Sequence, residues 1–310
     1  MKRQQESPIL VTGAAGAVGG IGRLLTQLLI ARGHKVRAMV RREDERAAAL
    51  RLLGAEVVQG DLTDLASMHR AIEGCRQIYF GMSVSPTYLE ASINTAAVAR
   101  HHRVDVFVNM SQMTVSQMSI TATTDSPQHK QHWLAEQALS WSGLPIVTMR
   151  PTVFMEGFFL QLASPGVRAS DTLALPFGEG KTSPISSADV ARAVAVIFEK
   201  PSLHVGRIYD LTGSESSDLY HHASTYSAAL GRPIHYRDVP PGAWSEGLRQ
   251  MRFPEHVVKH LTAMAELTRQ GRYDRLTNTY QELTGEAPTS MSDFVRLHAA
   301  EFSQREPVHT

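Results

Sequence analysis

The feature that most restricts the fold is a short apolar run, Pro8-Ile9-Leu10-Val11-Thr12. It breaks directly into Gly13-Ala14-Ala15-Gly16-Ala17-Val18-Gly19-Gly20-Ile21-Gly22 and then into a helical pattern. Five glycines fall in those ten residues, and each one inside a helix costs about 1 kcal/mol relative to alanine. Glycines are expected in such number where the backbone turns with positive φ or approaches something closely. Between a strand and a helix, the loop offers free amides and the positive end of a helix dipole, which together suit a diphosphate. The Gly-x-x-Gly-x-x-Gly pattern in this context points to dinucleotide binding. The alternative is a tight strand–helix turn with no ligand. Two registers fit, Gly13/Gly16/Gly19 and Gly16/Gly19/Gly22, and the first places a glycine directly at the strand end.

The rest of the first half alternates short strand patterns with helical ones. Strands are expected at 36–40, 56–58, 77–81, 104–110 and 146–150, and helices at 22–32, 46–53, 65–72, 88–101 and 129–142. Gly33, Gly74 and Gly143 sit where helices end, and Asp64 where one begins. Strands separated by helix-length crossovers imply a parallel α/β sheet. Beyond about residue 155 the alternation loosens into a helix at 190–198, a strand at 207–211, a helix at 219–230 and a mostly helical end. The expected organisation is a nucleotide-binding part, 1–155, and a smaller, mostly helical, discontinuous part, 156–310. Helix 190–198 is a candidate to cover the first part's sheet.

The end of the second strand distinguishes the cofactors. A ribose 2′-hydroxyl calls for an acidic residue there and a 2′-phosphate for arginine. Arg41 and Arg42 come first, before Glu43 and Asp44, so NADP(H) is expected over NAD(H). The alternative is that the two arginines only balance the acids beside them. Asp61, after the third strand, either accepts from the adenine amine or caps a turn.

Catalytic candidates are few. None of the eight tyrosines, at 79, 88, 209, 220, 226, 236, 273 and 280, is followed four residues later by lysine, so no Tyr-x-x-x-Lys proton shuttle is present. No serine occupies a Gly-x-Ser-x-Gly elbow. Near the expected C-terminal ends of the strands stand Met82 and Ser83, and Ser111 and Gln112. His132 and Glu136, four apart, share a helix face, so His132 is a candidate proton donor or cofactor contact oriented by Glu136, or else an ordinary polar contact. Lys130 either replaces a catalytic lysine or faces solvent. Phe154-Met155-Glu156-Gly157-Phe158-Phe159 is either an apolar wall over the nicotinamide and substrate or interdomain core. His129-x-x-His132, His101-His102 and His221-His222 lack cysteine partners and an HExxH arrangement, so no metal is expected.

Composition narrows the partners. Thirty-one Lys+Arg against thirty Asp+Glu leave a charge of +1, without the basic excess of a nucleic-acid binder. The single cysteine, Cys75, excludes an internal disulfide and suits a reducing compartment. The N-terminus has no apolar signal core, and the uncharged stretch 106–124 is too rich in Ser, Thr, Gln and Asn to span a bilayer. A cytoplasmic protein acting on a small molecule, with neither nucleic acid nor membrane as partner, is expected.

Several blocks resemble the NmrA-like, atypical short-chain dehydrogenase/reductase family over nearly the whole chain. They are Val11–Gly16, Val36–Arg42, Gly54–Asp64, His132 with Glu136, Ser142–Pro145, Met149–Pro151 with Phe154–Glu156, Leu283–Gly285 and Asp293–Val295. One departure is a set of surplus residues between Gly16 and Gly22. The resemblance implies a Rossmann-type, doubly wound sheet with a smaller substrate domain and a cleft between them. It also implies one of two roles: an NADPH-dependent reductase of quinones, carbonyls or conjugated compounds, or a non-catalytic NADP(H) sensor that regulates a partner. Cofactor contacts are then expected from Thr12, Gly13, Gly16, Val18, Gly19, Arg41, Arg42, Asp61, Leu62, Met82, Ser83, Met110 and Ser111. The substrate pocket is expected at Gln112, Phe154 and Met155. A homodimer or a regulatory protein partner is compatible with either role.

Overall fold

The computed structural model describes residues 7–16 and 20–303. Seven strands form one parallel sheet: β1 (Ile9–Val11), β2 (Val36–Val40), β3 (Glu56–Gln59), β4 (Gln77–Phe80), β5 (Val106–Met110), β6 (Ile146–Pro151) and, late in the chain, Ile208–Leu211. Between the last two lies β7 (Thr172–Leu175), which pairs in parallel with β9 (His235–Asp238) in a separate two-stranded sheet, so Ile208–Leu211 is β8. The main sheet runs β3-β2-β1-β4-β5-β6-β8. The chain therefore leaves β1 first to one side and then to the other. This doubly wound order opens a crevice between the C-terminal ends of β1 and β4.

Strand geometry explains why the sheet needs helices on both faces. Successive side chains point to opposite faces, and in β1 Ile9 and Val11 enter one cluster while Leu10, fully buried, enters the other. On the first face Leu25 and Leu29 of helix Ile21–Ala31 pack with Val190 and Val194 of helix Ser187–Glu199. On the second face Met68, Tyr88 and Leu139 cover Ile78, Phe80 and Phe107.

Local signals set the ends of these helices. Asp64 caps Leu65–Ile72 by accepting from the Ala66 amide, as its position predicts. Gly33, Gly74 and Gly143 all adopt positive φ just beyond helix ends. Helix Pro127–Trp141 starts two residues earlier than its apolar pattern suggests, because Ser126 accepts from the His129 amide and Pro127 occupies the first turn. Helix Ser187–Glu199 likewise starts early, capped by Ser186.

The chain beyond residue 155 is shared between two cores. Helix Ser187–Glu199 covers the main sheet and β8 extends it beside β6. A second cluster gathers Phe158, Phe159, Phe177, Leu219, Tyr226, Trp244 and Phe294. Among the described residues, no helix is long and apolar enough to cross a membrane.

Candidate active site

The glycine loop is built by close backbone approach. Thr12, at the end of β1, donates its Oγ1 hydrogen to the Gly81 carbonyl at 2.9 Å and accepts from the Gly81 amide at 2.9 Å, which ties the ends of β1 and β4 together. Gly13 has φ +65°, and a Cβ there would lie 2.7 Å from the Gly81 carbonyl oxygen. The Gly16 amide donates to the Gly13 carbonyl at 3.0 Å and closes the turn. A Cβ on Gly22 would lie 2.7 Å from the Gly13 oxygen and 2.9 Å from the Ala14 Cα, so Gly22 lets helix Ile21–Ala31 seat directly on the loop. The structure thus divides the glycine roles across both sequence registers, with the tight turn at Gly13 and the close helix packing at Gly22. Val18 and Gly19 lie outside the described residues. The helix has no acidic residue in its first turn, so nothing there opposes an incoming anion.

Arg41, Arg42 and Asp61 are exposed beyond the ends of β2 and β3 and do not line the central cavity. Asp61 is engaged as a turn cap: its Oδ1 accepts from the Thr63 amide at 2.9 Å and the Thr63 hydroxyl at 2.7 Å. These two bonds hold its carboxyl below the usual range. Leu62 is half-buried against the second-face cluster. Sequence reasoning missed Arg46, which donates to the Ala15 carbonyl at 2.9 Å and pairs with Asp44 at 2.5 Å. A guanidinium from the first turn of the helix after β2 therefore touches the glycine loop.

A cavity of about 320 Å³ opens at the C-terminal ends of β1, β4, β5 and β6. The expected residues Thr12, Gly13, Gly16, Met82, Ser83, Met110, Ser111, Gln112, His132 and Phe154 all line it. Met155 does not: it turns into the second core while Phe154 and Phe158 face the cavity. The aromatic run after β6 is therefore both wall and core, split residue by residue. The roof was not foreseen. Phe253 and the helix Glu255–Arg269, through Val257, Leu261 and Met264, close the cavity together with Tyr273. The spacing of 257, 261 and 264 is an apolar helical stripe that a sequence reading can recover.

Among the described residues, no Asp, Glu, Lys or Arg lines this cavity. The titratable groups that do, His132, His260, Tyr79 and Tyr273, are held neutral by burial. Burial, reinforced by the neighbouring His260, pushes the His132 imidazole down to about 3, and burial alone lowers His260 to about 4. Burial raises both phenols, that of Tyr273 to about 12.

The expected His132–Glu136 pair is not formed. Glu136 accepts from Ser111 Oγ at 2.5 Å and from Arg150, whose guanidinium neutralises it. Glu136 therefore positions Ser111 at the cavity edge. His132 instead meets Gln128, with 3.1 Å between the two Nε2 atoms, and packs on Tyr88 with ring centroids 4.0 Å apart. A neutral imidazole donates a hydrogen bond but is a very weak acid, so these surroundings do not supply the protonated ring that a general acid needs.

Comparison with known proteins agrees with this architecture. The NmrA-like family pattern matches residues 5–295. A reductase of (4-alkanoyl-5-oxo-2,5-dihydrofuran-3-yl)methyl phosphate from Streptomyces griseus is 31% identical over 95% of this chain and 99% of its own length. An NAD(P)H azoreductase from Xenophilus azovorans is 26% identical, with coverage of 95% and 99%. Among solved structures, an NADPH-dependent quinone oxidoreductase from Escherichia coli, complexed with NADPH, superposes with a TM-score of 0.81 at 20% identity, covering 94% of this chain and 99% of that one. NmrA, a negative transcriptional regulator in complex with NADP, superposes with a TM-score of 0.78 at 18% identity, covering 94% and 95%. The chain belongs to the NmrA-like family.

Proposed function

We propose that this chain is an NADPH-dependent reductase of a neutral, flat, largely apolar conjugated compound, such as a quinone or an enone. The observation that carries the reading is an uncharged cavity at the sheet's switch point, floored by a glycine loop and roofed by aromatic and aliphatic side chains. The loop fits a dinucleotide. Gly13 and Gly22 admit no side chain, and the first helical turn beside them carries no acid. Thr12, Gly13 and Gly16 would hold the diphosphate, with Val18 and Gly19 assigned by sequence alone. Arg41 and Arg42, with Arg46 added, would hold a 2′-phosphate, which favours NADP(H) over NAD(H). Asp61 and Leu62 would flank the adenosine half, and Met82, Ser83, Met110 and Ser111 the nicotinamide half.

When bound, the cofactor supplies a hydride from its nicotinamide ring. The chain's own residues orient the acceptor and exclude bulk water, with Gln112, Phe154 and Phe158 facing it from the walls. The proton that completes the reduction comes from water, because the cavity's imidazoles and phenols stay neutral. The named substrate of the Streptomyces relative carries a phosphate ester. This cavity offers no lysine or arginine to such a group among the described residues, which favours an uncharged substrate here. The part beyond residue 155, apart from helix Ser187–Glu199 and β8, would serve as the substrate-binding unit, in a cytoplasmic protein.

A sensor role is the second reading, favoured by the likeness to the NADP-bound regulator. NADPH oxidation by the purified chain against neutral quinones, enones and azo dyes separates the two. Turnover above background that Gly16→Asp abolishes supports the reductase. Tight NADPH binding with no turnover across the panel supports the sensor.

A further inference from the structure

A cluster of three histidines lies at the other end of the sheet. His69 stands in the last turn of helix Leu65–Ile72, His101 in the last turn of helix Tyr88–His101, and His102 immediately after it. The two helices pack side by side. One ring nitrogen from each histidine lies within 4.8 Å of the other two. His102 Nε2 is 3.0 Å from His69 Nδ1, and those two rings are stacked with centroids 4.8 Å apart. His69 and His101 are exposed and His102 is half-buried.

From these positions we infer that His69, His101 and His102 form a three-imidazole site for a divalent ion of the zinc class. Zinc–imidazole bonds of about 2.0–2.1 Å in a tetrahedron place ligand nitrogens roughly 3.3 Å apart. The observed spread is within reach of small side-chain rotations at an exposed site. Imidazole sets suit Zn²⁺, Ni²⁺ and Cu²⁺, not the oxygen-seeking Mg²⁺ or Ca²⁺. Both helices present their C-terminal ends here, where free carbonyls and the negative end of each dipole favour a cation. Arg70, Arg100 and Arg103 adjoin the site in sequence and oppose it, while Glu73 acts on His102 with the favourable sign. Three protein ligands leave a fourth position for water. The ion would clasp two helices at the N-terminal edge of the strands, away from the cavity at their C-terminal ends.

The test is titration of the chelator-stripped full chain with Zn²⁺ by calorimetry, and with Co²⁺ followed by visible absorption. One saturable equivalent and a tetrahedral Co²⁺ spectrum are expected. His69→Ala and His102→Ala should each weaken binding at least tenfold, and the double variant should lose it, while the exposed His221→Ala leaves it unchanged. NADPH binding should be unaffected in every variant, so this inference fails or stands separately from the reductase reading. Absence of saturable uptake by the unaltered chain, or identical titration of the double variant, overturns it.

Discussion

The floor and the roof of the cavity are built by different means. The floor at Thr12, Gly13, Gly22 and the end of β4 is set by close backbone approach, held by the Thr12–Gly81 hydrogen-bond pair and by Gly13, Gly22 and Gly81, whose neighbours leave no room for a methyl group. The roof is made of side chains from the second half of the chain: Val257, Leu261 and Met264 on helix Glu255–Arg269, Phe253 just before it, Tyr273 in the turn after it, and Phe158. A backbone floor tolerates little change and suits a constant partner. A side-chain roof can be resurfaced without disturbing the sheet, which suits a substrate that differs between relatives. Polar ties hold the two together: the Thr114 and Tyr273 hydroxyls are 2.7 Å apart, Arg275 pairs with Asp210, and Ser126 Oγ lies 2.9 Å from His260 Nδ1.

The sharpest way to break this comparison is at Gly13. Gly13→Asp places a charged side chain at positive φ against the Gly81 carbonyl, and it should weaken NADPH binding by at least 100-fold in a calorimetric titration. If binding survives, the floor does not hold the diphosphate.

The seam between floor and roof responds to acid. His129 and His132, on the floor side, and His260, in the roof, are lowered by burial to about 2, 3 and 4. The unfolded chain takes up those protons near pH 6.5 while the folded chain does not. The unfolded state therefore binds more protons below pH 6.5, and stability falls as pH drops. Well below pH 6.5 each ring changes the unfolding constant about tenfold per pH unit; between pH 6.5 and 5.5, where the unfolded imidazole goes only from half to about nine-tenths protonated, the change is about fivefold per ring. Denaturant unfolding at pH 6.5 and 5.5 should show this loss, and His260→Gln should make it shallower by one ring's share.

A roof variant should separate substrate from cofactor. Phe158→Ala is expected to raise KM for an aromatic acceptor roughly tenfold, in line with losing part of a buried aromatic contact, while the NADPH Kd stays within twofold. The smallest expected effect is on turnover between pH 6.5 and 9. With no cavity group titrating there, kcat should vary less than about twofold. A bell-shaped profile centred near neutrality would restore His132 as a proton donor.

The floor was legible in the sequence because its determinants are local. The apolar run of β1 ending in Gly13, Gly16 and Gly22, like the capping Asp64 elsewhere in the sheet's helices, acts within a few residues of itself. The roof was less legible. Val257, Leu261 and Met264 form a readable stripe, but which surface the stripe meets is set by how the helix docks. The Glu136 partner was misread for the same reason. The spacing from His132 to Glu136 is correct for a shared helix face, yet Arg150 on β6 is the stronger partner for a buried carboxylate and arrives from a neighbouring element. The three-histidine cluster is non-local too, joining a single His69 to a pair far along the chain.

The central claim is that the glycine floor seats a phosphorylated dinucleotide. Calorimetric titration of the unaltered chain with NADPH, and separately with NADH, tests it most directly. The account predicts saturable binding of NADPH at one equivalent per chain, with NADH at least tenfold weaker through loss of the arginine contacts. No saturable heat with either cofactor would contradict it.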